Sequence, residues 1–336
     1  MNTITAKELA ALLHLSESAV SLALNDKPGV SQETRRRVIK AAQDHGYDFS
    51  RKAIASELKK KAICFAVYRK SGAVVGDTPF FSELTGGVSV SCRREGYDCM
   101  ISYLYEDGDL AGQIERLRKD RFAGIIVLAT EIEEQTLSLF QRVDIPLVFL
   151  DAYFEQQEYN FVLINNTQGA YMATRHLIRK CRTQPGYLRS SYWISNFDAR
   201  ADGFYKAIRA AGMSTSQSPV HRLTPSQEGA YADMKEQLRQ MDRPARCYFA
   251  DNDEIAIGAM RALAEAGYRI PEDVAVVGFD DISATEYVSP PLTTVQVPKA
   301  ALGEAAVIRV IQLIEGKNLQ PQKTEVFTRL IQRKSV

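Results

Sequence analysis

The chain has 336 residues, of which 45% are hydrophobic and 25% charged, with a formal net charge of +1. These values belong to ordinary soluble globular proteins and give enough length for two or three domains. Apolar runs such as Ile125 to Ala129 and Val274 to Val277 fall far short of the roughly 20 residues that a membrane span needs. The opening Met-Asn-Thr-Ile-Thr-Ala-Lys-Glu lacks the basic start and apolar stretch of a secretory signal, so a cytoplasmic protein is expected. Five scattered cysteines, Cys64, Cys92, Cys99, Cys181 and Cys247, have no Cys-x-x-Cys spacing, which argues against a disulfide frame or zinc site. The net charge hides an asymmetry: residues 1–61 hold 11 Lys and Arg against 7 Asp and Glu, and the remainder 31 against 34. A basic N-terminal excess is either a solvated helix face or a footprint for nucleic acid.

In chain order, Thr5-Ala6-Lys7-Glu8 has capping-box spacing and starts a first helix to about Leu13, with Leu9, Leu12 and Leu13 inward. After a turn at His14-Leu15, Ser16 can cap a second helix, Glu17 to about Leu24, that buries Val20, Ala23 and Leu24. A loop through Asn25 to Val30 follows, and Ser31 caps a third helix, Gln32 to His45, closed by Gly46 as a left-handed cap. Two short helices and a tight turn make a helix-turn-helix, whose second helix fits the major groove while basic side chains such as Arg35, Arg36 and Arg37 address phosphates. The same pattern also occurs as a plain packing unit.

The run Glu8-Leu9-Ala10, Leu15-Ser16, Ala19-Val20-Ser21, Ala23-Leu24-Asn25, Lys27 to Ser31, Glu33-Thr34-Arg35 and Gly46-Tyr47 resembles the lactose-repressor (LacI/GalR) family of transcription regulators. The resemblance implies base-reading positions at Glu17, Ser18 and Leu22. Contacts to phosphate fall to Ser16, Ser21, Asn25, Ser31 and Thr34, with Thr5 at the capped start of the first helix. The family usually carries a basic residue where this chain has Leu22, which can meet a thymine methyl but cannot fork onto guanine. The linker departs from the family pattern: its slots hold Phe49-Ser50, Ala53-Ile54 and Ser56, with Leu58 two residues beyond the place of the family's minor-groove leucine. Either a shifted hinge helix puts Leu58 in that role, or residues 48–61 are an ordinary linker.

From Ala62 onward, short apolar runs alternate with helical stretches in the rhythm of a parallel sheet flanked by helices. Strands are predicted at Ile63 to Tyr68, Met100 to Tyr105, Gly124 to Ala129, Pro146 to Asp151, Phe161 to Asn165, Tyr192 to Ser195, Arg246 to Ala250 and Val274 to Gly278. Gly86-Gly87 lies in a helical stretch and reads as close packing. There is no phosphate-cradling glycine loop, no metal-ligand spacing among the four histidines and no nucleophile elbow, so a binder rather than an enzyme is expected, with no cofactor.

The family resemblance continues through Thr78 to Phe81, Ile145 to Val148, Arg200 to Phe204, Ala250 to Asp253, Pro271 to Val274, Val276 to Asp281 and Pro290 to Val295. It implies a fold in which an all-α helix-turn-helix domain (1–47) precedes a two-lobed α/β sensor of the periplasmic-binding-protein type I (62–336). The lobes would comprise about 62–160 with 290–319, and 161–289 with 320–336, crossing near Asn160, Ser289 and Leu319. By position in the family, Phe80 and Phe81 would wall the cleft, Arg200 would fork onto ligand oxygens, and Asp151, Asn165, Asn252 and Asp280 would fix hydroxyls of a sugar-like effector. Plain alternatives stand beside each role: helix-start core for Phe80 and Phe81, a surface ion pair for Arg200, and turn capping for Asn252 and Asp280. Asn165 stands where many relatives have aspartate, and the loop from Arg69 to Asp77 looks longer than usual. The expectation is a ligand-responsive repressor that binds a near-palindromic operator as a homodimer. The alternative is a solute receptor of the same sensor fold. With the chain ending at Val336, soon after the last strand, the extra C-terminal helix that builds tetramers in some relatives is not expected.

Overall fold

Among the described residues of the N-terminal unit there are three helices, α1 (Ala6–Leu13), α2 (Glu17–Leu24) and α3 (Gln32–Asp44). The computed structural model describes residues 4–24, 29–47, 61–76, 79–120 and 122–336, and the chain divides into two units, Met1–Lys60 and Lys61–Val336. Asn25, Leu58 and the hinge or linker of residues 48–60 therefore lie outside the described residues. The capping box forms as the sequence predicts: the Glu8 carboxylate accepts from the Thr5 backbone N–H at 2.7 Å, and the Thr5 hydroxyl accepts from the Glu8 N–H at 3.3 Å. Ser16 accepts from the Ala19 N–H at 3.1 Å and Ser31 from the Thr34 N–H at 3.1 Å. At the end of α3, Gly46 takes φ +67° and the Tyr47 N–H reaches back to the Ala42 carbonyl at 2.8 Å, a left-handed cap. Leu9, Ala10, Val20, Ala23, Val38 and Ala42 make the small core. Leu12, expected inward, is 47% exposed; on so short a helix the apolar stripe is only two residues wide.

Two six-stranded sheets build the second unit. The first holds β1 (Ala62–Arg69), β2 (Asp98–Tyr105), β3 (Gly124–Leu128), β4 (Leu147–Leu150), β5 (Phe161–Ile164) and β11 (Lys323–Val326), in the order β11-β5-β4-β3-β1-β2. The second holds β6 (Gly186–Ser190), β7 (Val220–Leu223), β8 (Cys247–Ala250), β9 (Ala275–Asp280), β10 (Thr293–Gln296) and β12 (Arg329–Ile331), in the order β12-β10-β9-β8-β6-β7. All pairings are parallel except β10 with β12. Strands β1, β3, β4, β5 and β8 are buried almost end to end, as parallel strands covered on both faces must be. Helices α4 (Pro79–Arg94), α5 (Leu110–Lys119) and α11 (Lys299–Ile314) pack on the first sheet. Helices α6 (Asn166–Cys181), α7 (Ser195–Ala210), α8 (Gln227–Gln240) and α9 (Asp253–Glu265) belong to the second, and the short α10 (Ala284–Tyr287) follows β9.

The lobe boundaries differ from those expected. The chain crosses between Ile164 and Asn166, between Gln296 and Lys299, and between Val326 and Arg329, not near Asn160, Ser289 and Leu319. Each crossing comes after a strand has paired inside the lobe it leaves: Phe161 sits in register with Phe149 of β4, and Lys323 with Phe161. A strand predicted at Tyr192 to Ser195 is instead β6 at Gly186–Ser190, followed by a loop and the start of α7. Tyr187 and Leu188 are fully buried there, whereas Tyr192 and Trp193 end up in the connecting loop. None of the five cysteines forms a disulfide.

Of Gly86-Gly87, only Gly87 is a close-packing residue: a Cβ there would lie 2.9 Å from the Ala300 Cα on α11, whereas one on Gly86 meets nothing within 4 Å. Gly303 on α11 approaches the Val88 backbone in the same way. Gly87→Ala should therefore cost about 1–3 kcal/mol through overpacking, while Gly86→Ala should gain up to about 1 kcal/mol from helix propensity. Urea melts of the two variants check this, and equal shifts would remove the α4–α11 contact as the cause.

Candidate functional site

The strands of both sheets direct their C-terminal ends at one cavity, the place where parallel α/β sheets bind ligands. It has a volume of about 270 Å³ and is lined from the first lobe by Gly72, Val74, Phe80, Phe81, Thr130 and Asp151, and from the second by Phe197, Arg200, Asn252, Glu254, Asp280 and Ile282, among others. Asp151 follows β4 and Asp280 ends β9. Both hold left-handed backbone, φ +64° and +113°, which non-glycine residues adopt at a cost and which clusters at functional sites.

Arg200, on α7 and only 4% exposed, is the cation in this cleft lining. Its Nε donates to Asn166 Oδ1 at 2.9 Å, its Nη1 to the Asp251 carbonyl, and its Nη2 lies 3.2 Å from Asp280 Oδ1. The guanidinium also stacks 3.8 Å over the Phe279 ring. From Asn166 the network continues: its Nδ2 donates to Asn196 Oδ1 at 3.1 Å, and the Asn196 Nδ2 donates to the Asp151 carbonyl at 2.9 Å. A chain of buried polar groups thus ties Asp280 of one lobe to Asp151 of the other.

Burial dominates the acid-base behaviour of this cluster. It pushes the Asp151 carboxyl up to about 6, against the pull of the Thr130 hydroxyl (2.7 Å) and Arg200, with Asp280 adding to the rise. Asp251, which accepts from Tyr187 and from the Ser190 N–H at 2.7 Å, is likewise pushed up to about 6 by burial. Asp253 goes well above its usual value, by burial and then by Asp280. Asp280 itself is raised by burial, with Arg200 and Lys299 opposing.

The expected residues fare differently. Phe80 and Phe81 line the cavity in an edge-to-face pair, centroids 4.9 Å apart, and Phe80 is core as well, at 8% exposure. Phe81 is only partly buried against that core. Arg200 lines the cavity, but much of its fork is engaged by protein, so a ligand meets only the donors left over. Asn252 faces the cavity while its Oδ1 caps α9, accepting from the Ile255 N–H at 2.9 Å. Asn165 does not line this cavity: it caps α6 through the Gln168 N–H at 2.9 Å and borders a separate depression with Trp193 and Lys323. The fixed start of α6 takes its side chain for the cap.

Glu131 was not foreseen. It sits in the acidic run Glu131, Glu133, Glu134, which on its face is solvated charge, yet it is 2% exposed. Its Oε2 accepts from the N–H groups of Lys70, Ser71 and Gly72 at 2.9, 3.1 and 3.0 Å, and its Oε1 from those of Val74 and Val75 at 2.7 and 2.9 Å. Burial alone would raise this carboxyl, but the bonds from Val75, Val74, Gly72 and Ser71 together hold it below its ordinary value.

In the N-terminal unit, Glu17, Ser18 and Ser21 are exposed along α2, and Leu22 is half-buried, its Cδ1 placed 3.1 Å from where a Cβ on Gly29 would lie. Thr5, Ser16 and Ser31 are spent on capping helix starts, with Thr34 hydrogen-bonded to Ser31 at 2.8 Å. No group of His, Cys, Asp and Glu among the described residues could hold a metal ion, and no helix there is long and apolar enough to cross a membrane.

A helix-turn-helix unit followed by a two-lobed sensor with a ligand-sized cleft defines a class, the ligand-responsive DNA-binding regulators of bacterial transcription. Residues 5–49 match the family model for bacterial regulatory proteins of the lacI family, and residues 174–336 match the periplasmic binding protein-like domain. The chain is similar to the transcriptional repressor PurR of Mannheimia succiniciproducens, 30% identical over 99% of this chain and 98% of that protein, and to PurR of Aliivibrio salmonicida, 29% identical over the same shares. Among solved structures it resembles a regulator CelR–cellobiose complex (24% identity, TM-score 0.74, 99% of this chain and 100% of that one). It also resembles a LacI family regulator from Enterococcus faecium with bound ribose (25%, TM-score 0.69, 81% and 98%). A lac repressor dimer bound to operator and the anti-inducer ONPF shares the fold (22%, TM-score 0.74, 99% of each chain). The chain belongs to the LacI family.

The buried carboxyls make a pH prediction. A carboxyl whose value is higher folded than unfolded keeps its proton in the folded state across the window between them, so stability falls as pH rises from about 4 to about 6. Asp151→Asn removes one such group, the one pushed up to about 6. Urea melts at pH 4.5 and 7 should show the variant gaining on the native protein at the higher pH; parallel behaviour would mean that Asp151 ionises freely.

Proposed function

We propose that this protein is a transcriptional repressor that grips a near-palindromic operator as a homodimer and is controlled by a small, hydroxyl-rich effector, a sugar or sugar derivative, in the inter-lobe cleft. The observation that carries this reading is the cavity itself. Acceptor groups reach it from both lobes, Asp151 from one and Asp280, Glu254 and Asn252 from the other, between the apolar faces of Phe80, Phe81 and Phe197. Ring hydroxyls donate to such carboxylates while the C–H face of the ring packs on aromatic walls. A ligand bridging the lobes stabilises their closed arrangement by the free energy it transmits, typically about 1–3 kcal/mol. The ribose and cellobiose in the two solved relatives are consistent with that class of ligand. A solute receptor of the same sensor fold would leave residues 5–49, which match the lacI regulatory family, without a role. The regulator acts where the DNA is, in the cytoplasm, and performs no catalysis.

On DNA, the exposed Glu17 and Ser18 of α2, with Leu22 beside them, are assigned to base edges. Ser21, Asn25 and the capped helix starts at Thr5, Ser16, Ser31 and Thr34 are assigned to phosphates, and Leu58 to the minor groove if the hinge folds there. The dimer contact is placed on the edge strand β2, whose Met100, Ile101, Tyr103 and Tyr105 are 42%, 50%, 46% and 45% exposed. A second copy covering this apolar edge removes the hazard of an open strand.

Four measurements test the proposal. Residues 61–336 alone should show no operator affinity in fluorescence anisotropy, whereas the whole chain should bind with steep salt dependence; retained binding by the truncated form would overturn the assignment of the reader. Ile101→Asp with Tyr103→Asp should give a monomer by analytical ultracentrifugation, and an unchanged dimer would place the interface elsewhere. Asp280→Asn should weaken the effector found in a sugar panel by at least roughly tenfold while sparing operator binding. Arg200→Ala should instead lower stability by about 3–5 kcal/mol, because it strands a buried carboxylate; an Asp280→Asn protein with full effector affinity would remove that carboxylate from the site.

A further inference from the structure

The loop that follows β1 is folded around a single side chain. Five backbone N–H groups from Lys70 to Val75 converge on the buried Glu131 carboxylate, and Val75 is fully buried in the core behind it. Gly72 takes φ +72° within this curl. The outer side of the curl, at Gly72, Ala73, Val74 and Gly76, is a wall of the cleft. Its tip crosses to the other lobe: the Ser71 hydroxyl donates to the Tyr192 hydroxyl at 2.8 Å. Lys70 pairs with Glu133 beside it. With this wall in place the cavity measures about 270 Å³, just under the roughly 300–1,000 Å³ usual for small-molecule sites.

We propose that Glu131 is the positioning residue of a lid, residues 70–76, that restricts the cleft to ligands of about one ring in size, and that the Ser71–Tyr192 hydrogen bond latches this lid to the second lobe. The proposal rests on the cleft being the effector site, but its physics does not depend on which effector binds. A neutral residue at position 131 cannot accept five N–H groups: an amide offers one acceptor oxygen, and its NH2 points donors at donors. The curl then opens locally while the sheet beneath it, held by its own ladder, stays closed. Removing the latch alone leaves the curl folded but frees it from the opposite lobe.

The test uses the full chain and no effector. Ile282, across the cavity in the second lobe and 4% exposed, is replaced by cysteine. Its labelling by a small reagent, methyl methanethiosulfonate, and a bulky one, fluorescein maleimide, is read at that residue by peptide mass spectrometry. With the native lid the bulky reagent should be selectively excluded, relative to a free peptide thiol. Adding Glu131→Gln or Tyr192→Phe should shift the ratio of the two rates toward the bulky reagent by roughly tenfold or more, as a local opening equilibrium requires. Hydrogen exchange should quicken at amides 70–75 in Glu131→Gln, and not in β3. If the bulky reagent reaches residue 282 freely past the native lid, or the ratio is unchanged in both variants, the lid is overturned. Faster exchange throughout β3 would show that Glu131 only supports the fold. Should Glu131→Gln fail to fold, Tyr192→Phe and Ser71→Ala carry the test. Because no effector is added, failure here is distinct from failure of the cleft as an effector site, which the sugar panel reads.

Discussion

The sensor depends on how one buried guanidinium is shared. Arg200 sits among carboxylates whose ionisation burial disfavours; it donates to the Asp251 carbonyl and to Asn166 and forms an ion pair with Asp280. Through Asn166 and Asn196 the same group reaches the Asp151 backbone on the other lobe. Such a network is favourable only while every member is satisfied, because an unpaired polar group in a low-dielectric interior costs its full desolvation. The relative position of the two lobes is therefore tied to the pairing state of the cleft. A ligand that accepts or donates within this network enters the term that holds the lobes together.

The backbone around the network carries the cost of that arrangement. Asp151, Asp280 and Asp281 all take positive φ, although none is glycine. At these strand ends the chain turns on left-handed backbone, and Asp151 and Asp280 line the cleft there. The surrounding contacts over-determine the strain. Asp281 bonds Gln296 at 2.8 Å and Arg333 at 2.9 Å, and its carbonyl accepts from Lys299 at 3.1 Å. Lys299 opens α11 of the first lobe, so this loop too spans the lobes.

The two units solve different problems. Among the described residues the N-terminal bundle has six buried apolar side chains, so its helix ends are fixed by caps at Thr5, Ser16 and Ser31 more than by packing. Capping is local chemistry. The sensor has a large apolar interior, so its local irregularities are dictated by what packs and pairs at a distance, including a carboxylate that folds a loop sixty residues away.

That difference explains what could be read from the amino acids alone. Helix starts at Thr5, Ser16 and Ser31 and the left-handed Gly46 were legible because each rests on neighbours three or four positions away. The parallel-sheet rhythm and the strands around Ile63, Gly124, Phe161 and Val274 were legible because doubly covered strands are apolar along their length. Phe80, Phe81, Asp151, Arg200, Asn252 and Asp280 could be placed by resemblance at strand ends and helix starts that line the cleft. What the sequence did not determine were the relations between distant segments. The crossings moved to the far side of Phe161–Ile164 and Lys323–Val326 because pairing to β4 and β5 is long-range. Asn165 went to a helix cap rather than the cleft. Only the tertiary structure set Glu131 apart from Glu133 and Glu134, since a carboxylate's role is decided by the N–H groups that surround it, and those come from a loop on another strand.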